Sequence, residues 1–257
     1  MIQKLVMVKQ LMNLQNKIIG FFSTLVLLSG CTIEIPEGDI KTFVEAINYE
    51  STFEAVDYGK SIIEITHFTD KEEPAGELKI TTCFDKVDDK YYYYCETEVK
   101  GDFYSEDQYT FYHQINLVYV NEDNNIVGYN LKDGKKEEIQ HSIESLNDLV
   151  ESFFFNRVDA GYHQGGMYYG DYVLTNCGKY YSLFTLNESK DILNYNATTS
   201  SYDQDKNEVI TMHNFNINKY GMLVDLETNT FYSELPGEVI TKITCDYSGD
   251  VERFETL

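Results

Sequence analysis

From residue 61 to residue 247 the chain falls into β-rich runs of about ten residues, each closed by a turn. The runs are 61–68, 77–84, 91–99, 109–120 and 126–131, then 179–186, 194–198, 208–215, 217–226, 230–233 and 238–247. Residues 70–74, 87–90, 121–124, 227–229 and 235–237 read as turns, and Asp133-Gly134 is a strong hairpin signal. Strands that follow one another this closely have no room for parallel crossovers, so the pattern predicts an antiparallel meander. With 22 tyrosines and 15 phenylalanines the chain can bury a core despite its acidity.

Two helical stripes interrupt this rhythm. Ile40, Phe43, Val44 and Ile47 recur at helical spacing behind a capping Asp39, which predicts one short helix ending near Tyr49. Ser142 suits an N-cap for a second helix carrying Ile143, Leu146, Leu149, Val150, Phe153 and Phe154 on one side. Its polar side holds Glu144, Asn147, Asp148 and Glu151, so the apolar side must lie on the sheet. The expected class is therefore mainly β with a few helices. The glycine-rich stretch 159–170 with Tyr162, Tyr168 and Tyr169 reads as a mobile aromatic loop.

The N-terminal segment sets where the chain resides. Lys17 precedes an uncharged apolar run, 18–28, that is too short for a hydrocarbon core needing roughly 20 residues. The run ends in Ser29, Gly30 and Cys31, which are the marks of a cleaved secretory signal. Leu28-Ser29-Gly30-Cys31 resembles the lipobox of bacterial lipoproteins. That resemblance implies a diacylglyceryl (palmitate-class) modification on the Cys31 thiol and cleavage just before it. It also implies a lipid anchor in the cell membrane, facing outside the cytoplasm. Each buried CH₂ of such chains contributes about 0.8 kcal/mol, so two chains hold firmly where one is marginal. Residues 1–30 are then the signal peptide, 31–38 a tether and 39–257 a single domain; MNLQNK from Met12 would serve as a normal start.

Removing Lys4, Lys9 and Lys17 with the signal takes the formal charge from −23 to −26. So acidic a surface argues against nucleic acid, whose phosphates require lysine and arginine. It also repels anionic membranes, leaving the lipid to hold the protein there.

Four cysteines remain after Cys31: Cys83, Cys95, Cys177 and Cys245. Outside the cytoplasm an even count permits disulfides. A hairpin centred on Asp89 would set Cys83 opposite Cys95, with Cys177 and Cys245 left to pair by elimination; the alternative is four buried free thiols.

No catalytic constellation, metal cluster or cofactor motif stands out, and no enzyme activity or cofactor is expected. His67, His113, His141, His163 and His213 are scattered over different runs. The run from Asp203 to Asn207 begins like a calcium loop, but Glu208 replaces its glycine and Asn214 its glutamate.

A lipobox, an N-terminal helix, a meander, an internal apolar helix and further strands together resemble LolA/LppX-like lipoproteins. The resemblance implies a curved antiparallel half-barrel with helices on its concave face, and a lipid or other apolar ligand within. Leu149, Phe153, Phe154, Phe155, Tyr162, Tyr168 and Tyr169 would then line or gate a cavity; otherwise they pack a dry core. The alternative role is a surface adhesion or assembly protein with a filled interior.

Overall fold

The computed structural model describes residues 38–68, 74–87, 89–101, 111–132, 135–139, 145–155, 166–202, 206–232 and 237–248. Eleven antiparallel strands form one sheet, open at its two edges. They are β1 (Tyr58–Phe68), β2 (Pro74–Val87), β3 (Lys90–Gly101), β4 (Phe111–Val120), β5 (Ile126–Lys132), β6 (Lys135–Glu138), β7 (Phe184–Leu186), β8 (Ile192–Tyr202), β9 (Glu208–Asn218), β10 (Leu223–Tyr232) and β11 (Glu238–Asp246). Their order is β6-β5-β4-β3-β2-β1-β11-β10-β9-β8-β7. The chain thus runs outward to β6, crosses to the far edge, and returns until β11 pairs with β1.

The crossing carries α3 (Leu146–Phe153), α4 (Gly170–Cys177) and a 3₁₀ turn (Tyr181–Leu183); α1 (Asp39–Glu45) and α2 (Tyr49–Ala55) precede β1. All bury their apolar sides on the concave face of the curved half-barrel, as expected. Phe43, Val44 and Ile47 are buried, as are Leu146 and Val150, while Asn147, Asp148 and Glu151 stay exposed.

The single N-terminal helix is two. Asn48 breaks it and caps the next, its side chain accepting from the Ser51 N–H at 2.9 Å. The Thr52 hydroxyl, buried in α2, lies 2.8 Å from the Tyr220 carbonyl and fixes this corner to the β9–β10 turn. The second predicted helix starts at Leu146 with Ser145 as its cap, accepting from the Asn147 N–H at 3.1 Å.

Residues 227–229 form the middle of β10, and the actual turn joins Asn218 to Met222. Gly221 takes φ +74° there and lies against Ile47 and Gly170, where a Cβ would collide with both. Of the expected 179–186 strand only β7 forms, preceded by the 3₁₀ turn Tyr181–Leu183.

Candidate functional site

The concave face divides into two zones. The zone beneath the helices is filled by rings. Phe84 on β2 meets Phe154 edge-on at 4.7 Å and Phe155 at 5.6 Å, while Phe53 of α2 meets Phe155 at 4.9 Å. Toward the other edge Phe215 stacks on Tyr195 at 4.8 Å and meets Tyr169 at 5.1 Å, with Phe184 against Tyr195 at 4.9 Å. These centroid spacings fall within the range that aromatic pairs prefer.

The proposed cavity residues therefore separate. Phe154, Phe155 and Tyr168 are 0 % exposed, Tyr169 is buried, and Leu149 packs at the core margin. In this structure these aromatic side chains are buried in the core. Cys31, Tyr162 and the side chain of Phe153 lie outside the described residues, as do the 203–205 turn, His141, His163 and the His113 side chain.

The end of the predicted mobile loop is a stitched segment. The Met167 N–H donates to the Phe154 carbonyl, the Leu223 N–H to the Met167 carbonyl and the Tyr169 N–H to the Gly221 carbonyl, each at 2.8 Å. Tyr168 also makes an isolated bridge with Met222.

The expected disulfides are replaced by four buried free thiols. Val87 pairs with Lys90, so the hairpin centre lies between Asp88 and Asp89, one half-step from the predicted one. Cys83 then faces Tyr94 and Cys95 faces Thr82. A one-residue offset sends neighbours to opposite faces of a sheet, so the two sulfurs cannot meet. Cys245 instead donates to the Met167 thioether at 3.5 Å. Burial pushes the Cys83 and Cys177 thiols up to about 11 and Cys245 to about 12. Thiols held neutral in this way are poor nucleophiles. Among the described residues no group of three His, Cys, Asp or Glu side chains is placed to hold a metal.

Beyond the aromatic zone the concave face changes character. Strand alternation turns inward Gly59, Ser61, Ile63, Ile65 and His67 on β1, and the register carries that face across the sheet. On β8 to β11 it bears Thr199, Thr211, His213, Thr228, Thr230 and Thr241. Thr199 Oγ1 lies 3.0 Å from His213 Nε2, and the Thr211 and Thr230 hydroxyls are 3.3 Å apart. On β3 to β5 it bears Thr97, Gln114, Asn116 and Asn130. Ile65, Leu78 and Val99 form an apolar strip between these two banks.

Among the described inward positions of β1 (59–67), β2 (76–84), β3 (91–99), β4 (114–118), β8 (193–201), β9 (209–217), β10 (226–230) and β11 (239–245), none is Lys, Arg, Asp or Glu. On these stretches the charges stand outside, at Glu64, Glu77, Glu96, Glu98, Glu227, Lys79 and Lys242, while at the margins Lys86 of β2, Lys132 of β5 and Lys135 and Glu137 of β6 hold inward register positions.

This polar zone was missed from sequence. Its signal was present in the β4 run, where Gln114 and Asn116 alternate with Ile115 and Leu117. The sequence alone does not say which set faces inward.

No family model matches the chain, and no curated relative matches it. Two solved structures are similar at low level. One is a DUF1329 family protein from Desulfovibrio piger, with 7% identity, a TM-score of 0.25, and 84% of this chain and 95% of that chain covered. The other is a β-barrel-like protein of domain of unknown function DUF1849 from Brucella abortus, with 11% identity, a TM-score of 0.27, and 76% and 99% covered. Likeness this weak assigns neither a family nor a function.

Proposed function

We propose that the chain is a non-enzymatic lipoprotein, anchored outside the cytoplasm through diacylglyceryl Cys31, whose half-barrel binds a ligand with an apolar body. The observation that carries the ligand reading is the stretch of concave face on β1–β4 and β8–β11 that bears no charge at the positions given above, in a chain of net charge −23. Binding sites are concave and mostly apolar, with a few placed polar groups. The strip of Ile65, Leu78 and Val99 between threonine and amide banks has that composition. The filled aromatic zone moves the expected site away from Phe154 and Phe155, toward the far ends of the strands.

Exchanging Cys31→Ser tests the anchor. The variant should leave the membrane fraction and lose labelling by an alkynyl palmitate. Unchanged labelling would overturn that half of the reading. The released variant, purified and extracted with organic solvent, should yield a stoichiometric apolar molecule.

An empty extract, with no uptake of a fluorescent fatty acid, would favour a second reading. Tyr202, Met212 and Ile210 are 73%, 42% and 38% exposed and share the convex face of β8 and β9. Exposed apolar patches mark interaction surfaces, so an adhesion or assembly role would rest on them.

A further inference from the structure

On β4 and β5 the usual polarity of a half-buried sheet is inverted. Gln114, Asn116 and Asn130 face the concave side, while Ile115, Leu117 and Leu131 face the convex side. A register slip of one residue would exchange the two sets, and the fold does not take it. Gln114 is 3% exposed and Thr97, opposite it on β3, is 7% exposed. Gln114 donates through Nε2 to Asn116 Oδ1 at 3.0 Å, which leaves its own Oε1 as an acceptor. That oxygen, Asn130 Oδ1 and Thr97 Oγ1 are all shielded from solvent with no hydrogen-bond partner. These three atoms fall on one patch of three adjacent strands. Each orphaned buried group costs about 1–3 kcal/mol, so a cluster of them calls for a reason.

We infer that Thr97, Gln114, Asn116 and Asn130 form the polar subsite of the concave face, and that it takes a head group bearing hydroxyl or amide N–H donors. The inference rests on the ligand reading above and adds the chemistry of the head. The two orphaned amide oxygens accept only, so the ligand supplies the donors. Lys132 and Glu137 hold the register positions next to Gln114 and Asn130 on the same face, and Lys135 pairs with Lys132, so the donors of the head group, not its charge, are what this patch selects. The apolar tail would lie along Val99, Leu78 and Ile65, which continue the same face toward β1.

A matched set of probes separates the two levels of the argument. Full-length chain is incubated with 1-oleoylglycerol, oleate or methyl oleate, and retained ligand is read by native mass spectrometry after release from detergent. Oleoylglycerol should be retained on the order of tenfold better than methyl oleate, as two added hydrogen bonds allow. Gln114→Met and Asn130→Leu should each erase that preference while leaving the melting midpoint of the ligand-free protein unchanged or higher, since each removes an orphaned group. Equal retention of all three probes would overturn the head-group inference and leave the apolar-ligand reading standing. Retention of none would overturn both. A lowered melting midpoint with the preference intact in both variants would make these amides structural, and the inference would fail.

Discussion

Phe154 decides whether the aromatic zone is packing or a gate. Its ring is fully buried, edge-on to Phe84 at 4.7 Å and to Tyr247 at 6.1 Å. It also lies over Gly59, where a Cβ would sit 2.7 Å from Cε1 and Cζ of Phe154 and closer still to Phe84. Truncating a buried phenylalanine costs about 3–5 kcal/mol. In a domain of this size that lowers the melting midpoint by roughly 6–20 °C, taking about 2–4 °C per kcal/mol. Gly59→Ala alone should cost about 1–3 kcal/mol by overpacking, outweighing the ~0.5 kcal/mol gained from a stiffer unfolded chain. Once Phe154 is alanine, the inserted methyl meets only the Phe84 edge. The double variant should therefore be at least about 1 kcal/mol more stable than the two single effects predict. Urea unfolding of the four proteins measures this cycle. A loss below about 1 kcal/mol for Phe154→Ala, with altered fatty-acid uptake, would show that the ring borders a hollow. Strict additivity would refute the contact between residues 59 and 154.

Other consequences can be checked as directly. In the Cys31→Ser variant, iodoacetamide at pH 8 should leave the four remaining thiols unmodified in the folded protein and modify all four in denaturant; mobility on gels should not depend on reductant. Cys83, Cys177 and Cys245 keep their protons in the folded state up to about 11 to 12, above the ordinary thiol value of 9. The unfolded chain therefore loses protons first, so stability is full below pH 9 and falls between about pH 9 and 12; a melting midpoint that rises over that window would contradict the assignment. Thr52→Val should cost about 1–3 kcal/mol, because it leaves the Tyr220 carbonyl without its hydroxyl donor.

The strands were legible because alternation survives in single runs such as 77–84 and 91–99. Where alternation carried polar residues inward, reading failed. Thr228 and Asn229 suggested a turn in the middle of β10, and the true turn at Asn218–Met222 was hidden inside an apolar run. The disulfide failed on half a residue of hairpin centre, which composition does not encode. Gly170–Cys177 carries no clear apolar stripe, so α4 went unseen; tertiary contacts at Val173 and Cys177 hold it. Phe154 and Phe155 are the same residues whether they border a hollow or fill one, and only their neighbours separate the two.

Because β1 and β11 are neighbours, the middle ladder of the sheet joins residues nearly two hundred positions apart. Until residue 238 onward is available, β1 and β10 each present a bare edge of unpaired N–H and C=O groups at the centre of the fold, where other chains could pair with them. Completion waits for the last strand, so folding should be slow by the standards of local hairpins. A chain ending early would be left with two half-sheets and an adhesive seam between them.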